Sequence, residues 1–252
     1  MLFETYKATD REIAVHQCNR APHSMDFLLA IPIEGLGQRM QPRLFRSVLR
    51  YRLSIPMFID HEICPTCSLK KMDIWGDHAI HCRNDIGAKY RHNLVRDVLA
   101  DICNKSGVVA KKEVSVGLSS DTGKDLRPAD LLIYNWDKGK DMCLDVIGVS
   151  PFTGSGVCSF VPGIAITNAV AKKRKKYESK CALSGYSFST FAFTTFGELG
   201  ADALVFLSRV TQAAQSLATS SKVGAFIYHR IGFALNKGVG AQLVVRLPTN
   251  FM

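Results

Sequence analysis

Residues 127–149 read Arg127-Pro-Ala-Asp-Leu-Leu-Ile-Tyr-Asn-Trp-Asp-Lys-Gly-Lys-Asp-Met-Cys-Leu-Asp-Val-Ile-Gly-Val149. Two apolar runs, 130–136 and 142–149, flank an Asp-Lys-Gly-Lys-Asp segment in which Gly139 supplies a tight bend, and the pattern predicts a β-hairpin. Each run carries one acid: Asp130 opens the first, and Asp145 sits inside the second. A carboxylate surrounded by Cys-Leu and Val-Ile-Gly-Val is costly to bury in charged form unless something positive meets it. With the strands as hairpin neighbours, both acids come near one end of the sheet. Two carboxylates there make an oxygen-rich site suited to Mg²⁺, which takes one or two carboxylates plus water and substrate phosphate. The competing reading is plain: Asp130 is a turn residue and Asp145 pairs with a lysine.

The flanking sequence predicts an α/β order. Residues 89–104 have helical spacing of Leu94, Val98, Leu99 and Ile102, and a strand-like run, 108–118, precedes the hairpin. After a Gly/Ser/Pro-rich loop at 152–165 come a helix over 166–181, a strand over 186–195, and helical patterns at 200–217 and 222–236. Within the first of these helices, Lys173, Lys176 and Tyr177 fall on one side. One ammonium there is placed to orient a metal-bound water, and the others to clamp phosphates; a solvated basic face is the alternative. Upstream, residues 1–24 read as a loose lead-in. Residues 42–53 read as a cationic helix whose Arg43, Arg46, Arg50 and Arg52 either grip phosphates or face solvent. The organisation expected is a basic helical lead-in at 1–60, a Cys/His segment at 61–88, and an α/β domain at 89–252.

The middle segment is short of aliphatic core and carries Cys64-Pro-Thr-Cys67 and, ten residues on, His78-Ala-Ile-His-Cys82. A CxxC turn presents two thiolates to one ion, and ten residues suffice to bring back two further ligands. Cys64, Cys67, His78 and Cys82 are the expected set, because His81 stands directly beside Cys82 and competes with His78 for the third place. Four protein ligands close the coordination sphere, so this zinc is structural. Unpaired metal-type cysteine spacing suits a reducing, intracellular setting. The start has no signal-peptide character, and no run of eighteen apolar residues suggests a membrane span. A net charge of +10 suits a polyanionic partner.

Taken in order, CPTC…GDHAIHC (64–82), YRHNLVRD (90–97), RPADLL…CLDVIGVSP (127–151) and KKRKKY (172–177) resemble the C-terminal region of non-LTR retrotransposon polyproteins of the restriction-like endonuclease type. The resemblance covers roughly residues 26–182, with a weaker echo at 227–238. It implies a small zinc knuckle before a restriction-endonuclease-like core, a mixed sheet flanked by helices. The implied activity is Mg²⁺-dependent nicking of target DNA, of the PD-(D/E)XK type, in the nucleus, with element RNA as a further partner and no membrane. On this likeness Pro128 and Asp130 match the P-D element with Ala129 inserted, and Asp145 matches the second acid. The lysine matches Lys173 or Lys176 with Tyr177 beside it, and Glu113 is a third candidate carboxylate. Arg91 and His92 match a basic element on the preceding helix. Arg127, Lys172 and Arg174 join them as candidate nucleic-acid contacts. Two departures stand out. A (D/E)-x-K motif puts lysine at 147, where this chain has Ile147, and there is no reverse-transcriptase motif. The alternative function is therefore a catalytically inactive, zinc-containing nucleic-acid-binding module; a zinc-stapled protein adaptor is the third.

Overall fold

A computed structural model describes residues 7–82, 86–119, 123, 125–152, 157–217 and 222–247 of the chain. The hairpin forms as the sequence predicts: β4 (Leu131–Asp137) and β5 (Lys140–Val149) are antiparallel, joined by Lys138 and Gly139 with φ of 48° and 86°. Two consecutive residues with positive φ make the turn whose twist suits a two-residue hairpin. Strand β5 then pairs in parallel with β6 (Ser187–Thr194) along its length. A parallel pair needs a crossover, and α5 (Ile164–Leu183) supplies it, which lays that helix over one face of the sheet. A short edge strand, β1 (Ala110–Lys112), completes a mixed sheet in the order β1-β4-β5-β6.

Alternation along β5 sorts its side chains between two layers. Met142, Leu144 and Val146 enter the main core with Val95 and Leu99 of α4 (Ile86–Lys105), Phe206 of α6 (Ala201–Leu217) and Ile231 of α7 (Val223–Val244). Cys143 and Ile147 face α5 instead, in two small apolar clusters, one with Leu132, Tyr177 and Cys181 and the other with Ile166 and Ala192. Asp145 occupies the position between them. The apolar layer is interrupted there.

Several expectations need correction. The lead-in is not loose: α1 (Asp10–Arg20) begins at a reciprocal capping box between Thr9 and Glu12 and buries Ala14, Val15 and Cys18 in the main core. The run expected as one strand over 108–118 breaks at Glu113, whose φ is 51°. The chain resumes as β2 (Leu118–Ser119), paired with β3 (Asp125–Leu126). Helix α7 continues eight residues past its expected end. Gly238 permits this close packing, since a Cβ there would lie 2.7 Å from the Arg91 side chain on α4. Among the described residues no helix is long and apolar enough to cross a membrane.

Helix α2 (Pro42–Arg52) forms as expected with proline at its start, but Arg52 is no phosphate contact. It is 2% exposed and donates to Asn236 Oδ1 (3.0 Å), Asn19 Oδ1 (3.1 Å) and the Phe196 carbonyl (2.8 Å). Burial lowers its pKa to about 10. One guanidinium thus ties α1, α2, α7 and the end of β6 together. Arg52→Ala strands these acceptors in a dry interior and should lower unfolding stability by about 3 kcal/mol in urea titrations, whereas Arg46→Ala on the exposed side of the same helix should leave it unchanged.

Candidate functional site

Residues 62–72 make a tight return, with the Met72 amide donating to Glu62 (2.7 Å), Cys64 to Lys70 (2.8 Å) and Ser68 to Cys64 (2.8 Å). This sets Cys64 and Cys67 at the tip of a turn. Asp73 organises the other half: Oδ1 accepts the amides of Trp75, Gly76 and Asp77, and Oδ2 accepts that of His78 at 2.7 Å. Those bonds start α3 (Asp77–His81), which carries His78 and leads into Cys82. Gly76, with φ of 92°, has no room for a Cβ, which would sit 2.7 Å from Phe58 and 2.8 Å from Leu243. Asp77 then takes Arg11 Nε (2.8 Å) and the Tyr51 hydroxyl (2.9 Å), knitting α3 to α1 and α2.

The ligand atoms of Cys64, Cys67, His78 and Cys82 all lie within 4.8 Å of one another. A tetrahedron with zinc–sulfur bonds of about 2.3 Å has edges of roughly 3.8 Å, so this donor set fits a zinc-like ion with slight contraction. Burial opposes ionisation of Cys64, but the Cys67 and Thr66 amides, with Arg246 and His78, bring its thiol down to about 6. His81 is turned away, its Nδ1 2.7 Å from the Asp77 carbonyl. We expect one zinc per chain by atomic emission, lost in Cys67→Ser. Chelation should lower Tm by roughly 5–10 °C, the size expected for about 3 kcal/mol in a chain of this length.

The acids meet at a fork in the sheet. Leu131 pairs with Leu144, so Asp130, just before β4, stands across from Asp145. Beyond this point β5 runs on without β4 beside it, and Asp130 Oδ2 accepts the Val146 amide, which has no strand partner on that side, at 2.7 Å. The same oxygen is 3.1 Å from His92 Nε2 on α4. Asp145 is 2% exposed; its Oδ1 receives Lys173 Nζ at 2.8 Å, while its Oδ2 is buried with no hydrogen-bond partner. An orphaned carboxylate oxygen in a dry layer is costly, and it is the feature a divalent cation satisfies. Burial pushes Asp145 up to about 6, more than Lys173 recovers, with Asp130 adding to the rise. Burial also works on Asp130, but His92, the Val146 amide and Lys173 hold it below the usual carboxylate range. Burial opposes charge on His92, yet Asp130 more than compensates and raises its pKa. A cavity of about 250 Å³ opens beside the fork, lined by Ala88, Arg91, His92, Val146, Ile147 and Gly148.

Of the two lysines left open by helical spacing, Lys173 reaches Asp145. Lys176 is exposed, its ammonium 4.7 Å from the centroid of the buried Tyr177 ring. Glu113 is not brought to the acids: its carboxylate pairs with Arg96, one turn along α4 from His92. Arg91 is 4% exposed and donates to Gln242 of α7, so it lines the cavity wall as a support rather than a surface contact. Arg174 is likewise engaged, bridging to Glu178 and, at 2.8 Å, Asp202. Lys172 and Arg127 are exposed, Arg127 reaching Asp125 at 3.2 Å. Ile147 packs with Ile166 and Ala192 beneath α5. Sequence reasoning missed Asp73, although an aspartate three residues before a glycine turn is a readable signal.

No protein-family model matches this chain, and a search of curated proteins finds none similar to it.

The raised pKa of Asp145 means that folding penalises its charged form. That penalty is full above about pH 6 and vanishes as the pH falls toward 4. Asp145→Asn should therefore stabilise the metal-free protein by about 2 kcal/mol at pH 7.5, with the gain shrinking between pH 6 and 4 in thermal melts.

Proposed function

We propose that this protein is a divalent-cation-dependent DNA endonuclease with a restriction-endonuclease-like core, of the type carried by non-LTR retrotransposons. The observation that carries the reading is the unmatched, buried Asp145 Oδ2 beside Lys173, with Asp130 across the hairpin. Structural ion pairs normally satisfy both carboxylate oxygens; this one leaves an oxygen for something else. The order of elements, helix then hairpin then crossover helix then parallel strand, agrees with the sequence likeness. Arg127 and Lys172, exposed cations, offer phosphate contacts.

In this reading Asp130 and Asp145 hold Mg²⁺, whose chemistry is to lower the pKa of a bound water and neutralise charge on the phosphate. His92 and the Val146 amide fix Asp130 through one oxygen, leaving its orientation settled before substrate arrives. Lys173, already against Asp145, orients the attacking water and stabilises the developing charge. Its arrival from α5 answers the absence of lysine at 147: Ile147 points into an apolar cluster and the ammonium enters from the facing helix.

The apolar setting of Ile147 is also what favours the second reading, an inactive nucleic-acid-binding module. Nicking of supercoiled plasmid separates them. With Mg²⁺ we expect conversion to open circle, abolished by EDTA and reduced at least about 10³-fold in Asp145→Asn and Lys173→Met. Lys176→Met, by contrast, should retain most activity. Salt-sensitive DNA binding with no nicking under any divalent cation would leave the binding module standing.

A further inference from the structure

We propose that a second site, at the far end of β4 from the acids, binds an unpaired base of a single-stranded nucleic acid. The residues are Trp136, Arg209, Tyr134 and the apolar pair Val108 and Val109, around a cavity of about 300 Å³. Six residue-to-residue steps of strand lead from Asp130 to Trp136, about 20 Å at roughly 3.3 Å per step. The inference does not depend on the acids and survives failure of the nuclease reading.

The cavity is built from stacking surfaces. The Trp136 ring lies against buried Phe206, centroids 5.0 Å apart, and the exposed Arg209 places its guanidinium 4.1 Å from the indole centroid. Arg209 also donates to the Trp136 carbonyl, so both its charge and its position are fixed. Tyr134, which also lines the cavity, has the Lys111 ammonium 5.4 Å from its ring centroid. A guanidinium pinned over an indole presents a flat cationic surface, and a nucleobase stacks on such planes as it does on aromatic rings. Val109, 55% exposed, adds apolar floor, and none of the lining side chains is acidic. Cations at the rim then meet the phosphates on either side of the base.

The backbone is distorted to make this arrangement. Asn135 has φ of 50°, a left-handed conformation that asparagine takes more readily than most residues, and the pairing of β4 with β5 shifts between Ile133 and Asp137. In a regular strand Tyr134 and Trp136 would share one face. Here Tyr134 packs with the cluster under α5, Trp136 packs with the main core, and both border the cavity. The Asp141 carboxylate holds the distortion by accepting the Asn135 amide at 2.9 Å. A base inside a duplex has both faces covered by its neighbours, so the ligand is single-stranded.

The test uses the full chain carrying Trp75→Phe, which leaves Trp136 as the sole tryptophan. Oligothymidylate and oligouridylate should each quench its fluorescence saturably, and the tighter of the two identifies DNA or RNA as the source. Inorganic polyphosphate and duplex DNA should leave the emission unchanged. Arg209→Ala and Arg209→Lys should both weaken the quenching about tenfold, because lysine keeps the charge but not the plane; Asp145→Asn should leave it intact. Quenching by polyphosphate equal to that by oligothymidylate would overturn the proposal. So would oligonucleotide binding, seen by anisotropy, that leaves Trp136 emission untouched.

Discussion

Asp145 is a carboxylate held in the layer between the sheet and α5, with one ammonium against one of its oxygens and no hydrogen-bond partner for the other. Much of the architecture around it is the means of holding it there. The hairpin brings Asp130 across from it, and the late start of β4, at Leu131, leaves the Val146 amide for Asp130. The parallel pairing of β5 with β6 demands a crossover helix, and that helix delivers Lys173. On the other face, α4 supplies His92 through the same fork. A site assembled from both faces of a sheet needs rigid neighbours. The contact of α4 with α7 through Gly238 and the Arg52 network at the N-terminal helices provide them.

The Cys/His segment belongs to the same logic of support. Its four ligand atoms stand on a turn and a five-residue helix, neither of which has enough apolar surface to persist alone. Asp73 gathers four amides to start that helix, and Asp77, its first residue, ties the same end to Arg11 and Tyr51. Asp73 and Asp77 seat this segment on α7 and beside the N-terminal helices, and a metal held by the four ligands would brace it further. An ion there organises structure; the chemistry proposed for the molecule lies on the hairpin and α5.

Periodicity made much of this legible. The hairpin, its Gly139 turn, the lysine-bearing helix and the CxxC with His78 and Cys82 all follow from local pattern, and local pattern is what sets turns and strand alternation. Long-range packing was not readable. Gly238 and Gly240 resemble a helix end, yet they continue α7, because a small residue lets α4 and α2 close in. Helix α1 has a weak apolar stripe, so its start is marked by the Thr9–Glu12 capping box more than by periodicity, and its residues read as a loose lead-in. Arg52, Arg91 and Arg174 look like phosphate contacts in a basic sequence, but each meets acceptors hundreds or tens of residues distant. Spacing could not choose between Lys173 and Lys176. The choice rests on which turn of α5 lies over Asp145.

The central claim is that Asp130 and Asp145 share a divalent cation beside Lys173. Anomalous scattering from crystals soaked in Mn²⁺ reads it most directly. The account requires one strong peak between the two carboxylates, within coordination distance of Asp145 Oδ2, and none in crystals of Asp145→Asn. Full Mn²⁺ soaks with no density at the fork, or with the ion held elsewhere while Asp145 keeps Lys173 as its only partner, would contradict it.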